Sequence, residues 1–252
     1  MGRVVFIGAG PGEADLITVR GRQRLAQADV VLFDALTDPA LREAAPQAQW
    51  LDVGKRGFGH ATGQGAINAL LVEQALAHGC VVRLKGGDPS VFGRLEEEIA
   101  SLLAHGIAFE VVPGVTAALA AAAHTGRPLT RRGSGRSVSL TTAMTHLGQL
   151  HATRSADTEV FYMAGQQLPE LAARLLEAGW PAEAPASVVS RAGWPDAQAT
   201  THRLADLAHA AAVHAGRPAV VTVGAGAASV VPARTTNTPE FPESPSPAAT
   251  DD

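Results

Sequence analysis

Residues 83–94, RLKGGDPSVFGR, follow the apolar run Cys80-Val81-Val82 and lead into a helical pattern, so Gly86, Gly87, Asp88 and Pro89 fall in the turn after a strand. Open α/β sheets hold their ligands at such turns, outside the carboxyl ends of the strands. The glycine pair lets main chain approach a ligand, Asp88 supplies an acceptor for hydroxyl or amino donors, and Pro89 stops the strand. Taken alone, the stretch reads equally well as an ordinary strand-to-helix turn. Its neighbours must decide.

Upstream, RVVFI (3–7) is a β-branched apolar run followed at once by GAGPG. Thr18 is placed to cap a helix from Val19 to about Ala28, on which Arg20 and Arg24 share a face. DVVLF forms a second strand that delivers Asp34 at its end, and QWLDVGKR a third that ends at Gly54-Lys55-Arg56. A helix over Ile67–Ala77, with Gly79 as its stop, precedes the strand CVVRLK. After the opening stretch come a helix over Val91–His105, with Glu96, Glu97 and Glu98 in solvent, and the strand FEVVP. Gly8 to Gly12, Asp34, Lys55 and Gly86 to Asp88 thus share one edge of a parallel sheet and line one cleft. Asp34 and Lys55 carry opposite charge, so a salt bridge at the rim is the plain alternative to a chemical role.

Pro113-Gly114 breaks the pattern, which places a domain boundary between 1–113 and 114–231. The second half continues with an alanine-rich helix from Thr116 to about His124 and an arginine-rich loop, GRPLTRRGSGR. The strands SVSLTTA, EVFYMA and ASVVS follow, then a short strand in QATTHRL, a helix over Arg203–His214 and the strand AVVTVGAG. Residues 232–252, rich in proline, serine and threonine, lack the apolar content to fold and form a disordered tail. Strands alternating with helices through both halves give the class α/β, in two domains.

The chain of 252 residues is 46% hydrophobic and 17% charged, enough to bury a sizeable core, and no apolar run is long enough to span a bilayer. Cys80 is the single cysteine and the N-terminus lacks a signal-peptide layout, so a cytoplasmic location is expected. A net charge of -4 argues against a general nucleic-acid binder. The chain has no G-x-S-x-G elbow, P-loop or cysteine pair, and its nine histidines make no zinc spacing, so no metal is expected. A dinucleotide site on Gly8, Gly10 and Gly12 with Asp34 fits poorly, because the spacing is G-x-G-x-G and Pro11 removes an N–H.

GAGPGEADLITVRG, LFDALT, VGKR followed by His60, VVRLKGGDPSVFGR, EVVPGVTAA and GRPLTRR resemble the tetrapyrrole methylases over about residues 3–226. The likeness is greatest to the member that methylates uroporphyrinogen III. It implies two α/β domains with the active site in the cleft between them, a homodimer, and S-adenosylmethionine as methyl donor. The expected reaction is methylation at C2 and C7 to give precorrin-2, for sirohaem, cobalamin or haem d1. Carried over by motif, Pro11, Gly86, Gly87, Asp88, Val91, Thr116, Ala117, Met163 and Gly193 bind the cofactor, Asp34 is the proton acceptor and Lys55 the proton donor.

Arg20, Arg24, Arg56, Arg127, Arg131, Arg132 and Arg136 are candidates for the substrate's eight carboxylates. The chain departs from the family in FDALT for YDRLV, GRLEEE for GRGGEE, PLTRRG for PLTHRD, FYMA for FYMG, and RAG for ENG before Trp194. The alternatives are a methylase of a later precorrin, a nicotinamide-dependent oxidoreductase, and a relative that binds without turnover.

Overall fold

The computed structural model describes residues 2–54, 63–143, 150, 152 and 154–230. Lys55, Arg56 and the 232–252 tail lie outside the described residues. Residues 3–112 form a five-stranded sheet from β1 (Arg3–Gly8), β2 (Val30–Phe33), β3 (Gln49–Asp52), β4 (Cys80–Lys85) and β5 (Ala108–Val112), in the order β3-β2-β4-β1-β5. Every pairing in it is parallel. That geometry needs a crossover between strands, supplied by α1 (Val19–Leu25), a 3-10 turn over Pro39–Ala44, α2 (Gln64–Ala77) and α3 (Leu95–Ala104).

With cover on both faces, the strands read as continuous apolar runs. Val4 and Phe6 pack on Leu71 of α2 and Leu102 of α3, while Val5 and Ile7 pack on Leu25 of α1 and on Leu41. Central β4 lies between β1 and β2, so its following loop rises between the GAGPG loop and Asp34.

The second sheet holds β6 (Val138–Thr142), β7 (Thr158–Tyr162), β8 (Pro185–Ser190), β9 (Gln198–Arg203) and β10 (Ala219–Gly224), in the order β6-β7-β10-β8-β9. Only β6 and β7 pair in parallel; β10 runs antiparallel to β7 and β8, and β9 antiparallel to β8. The alanines of α4 (Ala117–Thr125) pack on one face against Val160, Val189 and Val220. The other face is covered by α5 (Leu168–Glu177) together with Leu204 and Leu207.

Several expected boundaries shift. The helix after the opening stretch begins at Leu95 rather than Val91, because Phe92 and Arg94 take left-handed φ values of 51° and 53° and continue the turn. α1 stops at Leu25, capped as expected by Thr18, whose hydroxyl accepts from the Gly21 N–H at 3.0 Å. β3 ends at Asp52, whose Oδ1 takes the Gly54 N–H at 2.8 Å and turns the chain. Residues 204–210 are a 3-10 turn, and α-helix is confined to α6 (Ala211–His214). α2 stops at Ala77 with His78 already extended, so Gly79 supplies no left-handed cap.

Glu98 corrects the expectation of three solvated glutamates, since it is fully buried. Leu95, Glu98, Ile99 and Leu102 recur at helical spacing, which puts Glu98 on the face of α3 that meets the sheet.

Candidate active site

The two sheets enclose a cavity of about 440 Å³ lined by Pro11, Asp34, Gly86, Gly87, Asp88, Val91, Thr116, Ala117 and Met163. That size is within the range of small-molecule pockets, roughly 300–1,000 Å³. Gly193 is next to it: Ala192 and Trp194 are on the lining, and the Gly193 carbonyl accepts from the Glu13 N–H at 2.8 Å. Of the cofactor-binding and catalytic residues expected from sequence, only Lys55 falls outside the described residues.

Glycine contacts set the floor. A Cβ on Gly8 would lie 2.5 Å from Gly114 Cα, and one on Gly114 would lie 2.3 Å from the Gly87 carbonyl oxygen. Neither distance is open to a real side chain, so three loops meet main chain to main chain. Gly10 and Gly87 seal the contact with reciprocal hydrogen bonds of 2.7 and 3.3 Å. A Cβ on Gly12 would lie 2.0 Å from the Gly193 carbonyl oxygen, which makes that contact a joint between the two halves. Gly87 has φ +72° and its Cβ direction is clear to 4.0 Å, so the loop presents bare main chain to the cavity.

The GAGPG glycines are therefore engaged in packing, and the turn that follows them is a 3-10 turn over Ala14–Leu16 rather than a helix N-terminus. A bound pyrophosphate would find no row of free helix N–H groups there. The geometry removes the basis for the dinucleotide reading.

Two carboxylates hold these loops. Asp34 accepts the Leu36 N–H on Oδ1 at 3.0 Å and the Gly86 N–H on Oδ2 at 3.2 Å, tying the end of β2 to the loop after β4. Asp88 accepts the Ser90 N–H on Oδ1 at 2.7 Å and the Gly114 N–H on Oδ2 at 2.8 Å. Both Asp88 oxygens already have partners, so its first task is to join the opening loop to the chain that enters α4.

Across the cavity the Tyr162 hydroxyl meets Thr116 Oγ1 at 2.7 Å and accepts the Ala118 N–H at 3.2 Å, satisfying an N–H at the start of α4. The Tyr162 ring lies 5.0 Å from that of Phe92, so the halves also touch through aromatic faces.

Arg83, Lys85, Arg94 and Arg191 give the lining four cations against the carboxylates of Asp34 and Asp88. Of the arginines expected to meet carboxylates, none among the described residues is on this lining. Arg24 pairs with Glu110 at 2.8 Å, Arg127 donates to Thr201 at 2.6 Å, and Arg131 donates to the Ala228 and Ser229 carbonyls. Arg94 is held by Glu97 through two bonds of 2.7 and 2.8 Å. Arg191 is held by Asp196 at 2.8 Å and stacks 4.6 Å over Trp194.

Behind the wall, Glu98 takes Arg83 Nε at 3.0 Å and Lys85 Nζ at 2.7 Å, all three side chains at most 5% exposed. Burial pushes the Lys85 ammonium below the usual lysine range; the Arg83 charge adds to this and Glu98 opposes it. Sequence reasoning missed the group, although a signal was available. CVVRLK is a strand of a parallel sheet, which is covered on both faces, so Arg83 and Lys85 had to be buried and needed a carboxylate.

Residues 3–208 match the sequence model of the Tetrapyrrole (Corrin/Porphyrin) Methylases. The chain is 44% identical over 230 residues to a siroheme synthase of Pseudomonas fluorescens, covering 88% of this chain and 50% of that protein. It is 40% identical over 234 residues to a uroporphyrinogen-III C-methyltransferase of Bacillus subtilis, covering 88% of this chain and 48% of the relative. The chain thus spans about half the length of the curated relatives it matches. Among solved structures it is similar to uroporphyrin-III C-methyl transferase from Thermus thermophilus complexed with S-adenyl homocysteine, at TM-score 0.78 and 38% identity, covering 88% of this chain and 97% of that one.

Proposed function

Because this chain belongs to the tetrapyrrole methylases, we propose that it is an S-adenosylmethionine-dependent C-methyltransferase that converts uroporphyrinogen III to precorrin-2 by methylation at C2 and C7. The observation that carries this reading is the cavity itself. Bare main chain at Gly86-Gly87 faces the apolar surface of Val91, Ala117, Met163, Ala192 and Ala219 across a space lined by four cations. A thioether-linked nucleoside fits apolar walls with main-chain donors and acceptors, and a carboxylate-rich ring fits the cations.

Pro11, Gly86, Gly87, Asp88, Val91, Thr116, Ala117, Met163 and Gly193 would hold the methyl donor. When bound, it supplies an electrophilic sulfonium methyl. The protein then has to align an electron-rich pyrrole carbon with that methyl and receive the proton the ring loses afterwards. Asp34 is the proposed acceptor. It stands on the lining and is fixed by the Leu36 and Gly86 N–H groups, so its reach is set by the same loop that shapes the donor site. Lys55 is the proposed proton donor.

We extend the proposal to a homodimer, a cytoplasmic location and a division of the chain near Gly114. Among the described residues no helix is long and apolar enough to cross a membrane. Sedimentation of the purified chain checks the dimer.

Titration calorimetry with S-adenosylhomocysteine and with NAD separates the methylase from an oxidoreductase. Binding of the first and none of the second is expected; the reverse removes the reading. Incubation with uroporphyrinogen III and S-adenosylmethionine should give the precorrin-2 absorption, and its absence with the cofactor bound assigns the chain to another substrate or to binding without turnover.

A further inference from the structure

In the reading above Lys85 counts only as one of four lining cations, yet it differs from Arg94 and Arg191 in being almost wholly buried in the cavity wall. Its neighbours are accounted for. Arg83 directs Nε to Glu98 and Nη1 to the Leu84 and Leu32 carbonyls, at 3.0, 3.0 and 3.4 Å. Glu98 Oε1 serves Arg83 and receives a 3.4 Å contact from Gln64, leaving Oε2 to Lys85 at 2.7 Å. A lysine ammonium carries three N–H donors. Among the described residues Glu98 is its one hydrogen-bond acceptor.

Charge gives the same count as hydrogen bonding. Arg83 and Lys85 share the single carboxylate of Glu98, so the buried trio carries an excess positive charge, which the Asp34 carboxylate on the lining offsets only through space and without a hydrogen bond to the ammonium. Gly93, also on the lining, packs directly over the lysine stem, where a Cβ would lie 3.0 Å from Lys85 Cε.

We propose that Lys85, fixed by Glu98 in the cavity wall, is a binding residue for one carboxylate of the substrate. The proposal rests on the carboxylate-rich ring of the proposed function. Arg83 and Glu98 act through Lys85 as positioning residues, the first by occupying Oε1 and the second by holding the ammonium in place. The carboxylate brings the acceptor the ammonium lacks, and the excess charge becomes a neutral buried set.

Lys85→Met tests this, because it leaves Arg83 and Glu98 as a balanced pair and keeps the stem's volume. The probes are uroporphyrin III, the oxidised octacarboxylate ring, followed by fluorescence, and S-adenosylhomocysteine, followed by calorimetry. The variant should lose roughly tenfold to a hundredfold in ring affinity, the scale of a hydrogen bond to a charged group. Its affinity for S-adenosylhomocysteine and its melting temperature should be unchanged or raised, and Lys85→Arg should recover part of the ring affinity. Unchanged ring affinity in Lys85→Met overturns the proposal. So does a parallel loss of ring affinity, cofactor affinity and melting temperature, which would make Lys85 structural. Wild-type protein that binds S-adenosylhomocysteine but no ring rejects the proposed substrate itself.

Discussion

The two sheets contribute to the cavity in different ways. The parallel sheet supplies Asp34, Arg83, Lys85, Asp88 and Arg94, while the mixed sheet and α4 supply mainly Ala117, Met163, Val189, Ala192, Ala219 and Val220, with Arg191 as their charged member. The cause is topological. In a parallel sheet every strand ends at the same edge, so loops from distant parts of the chain bring polar side chains together. Antiparallel neighbours send their ends in opposite directions, and what β8 and β10 offer the cavity is chiefly the apolar surface of strands and small residues. Charge on the cavity lining belongs chiefly to the first half and apolar surface to the second.

The contrast can be broken. Its severest trial is Asp34→Asn, which keeps the size of the side chain and removes the proposed base. Turnover should fall about 100-fold or more, while affinity for S-adenosylhomocysteine should fall by much less, through the one loop N–H that the amide NH2 can no longer accept. Retained turnover would take the chemistry out of the first half.

Gly12→Ala tests the joint between the halves. Its new Cβ would strike the Gly193 carbonyl, and urea titration should show a loss of about 1–3 kcal/mol. No loss would mean that the halves are not held there.

Tyr162→Phe probes the second half alone, by removing a hydroxyl that meets Thr116 and Ala118. Cofactor affinity should weaken by about 1 kcal/mol with kcat little changed. A fall in kcat without that weakening would make Tyr162 a chemical residue and erase the division of labour.

The smallest effect is a slope with pH. His214 is fully buried beneath the second sheet, with Nδ1 2.9 Å from Ser190 Oγ and Nε2 2.9 Å from Thr200 Oγ1. Burial holds its pKa below the ordinary histidine value, and the nearby His202 and Arg217 act in the same direction. The folded state therefore binds fewer protons than the unfolded chain. Stability should be undiminished above about pH 6.5 and fall as pH drops from there toward the folded-state value. Urea midpoints between about pH 7 and 5 check the sign, and His214→Gln should flatten the curve.

Much of this was legible in the chain. Each strand of the first sheet is an apolar run between turn residues, and Thr18 reads as a cap before it is seen as one. The opening loop and Asp34 were found because strand ends can be counted along the chain. What stayed hidden was pairing across space. Glu96, Glu97 and Glu98 are chemically alike, and only the spacing to Leu95 and Leu102 separates the buried one from the others. The left-handed turn at Phe92 and Arg94 occurs on residues that seldom adopt it, so nothing local announced that α3 would start late. Arg191 stood in a segment noted for its departure, but its place on the cavity depends on how β8 lies beside β10.

The glycine contact among residues 8, 87 and 114 bears on how the protein comes to be competent. These residues are widely separated in the chain and touch only when β1, β4 and β5 have paired. Such long-range closures are slow to form, and partial pairing leaves no fragment of the site behind. Ligand affinity should therefore arrive in one step with completion of the first sheet. Added S-adenosylhomocysteine should protect the amides of those strands against hydrogen exchange together, as one cooperative unit.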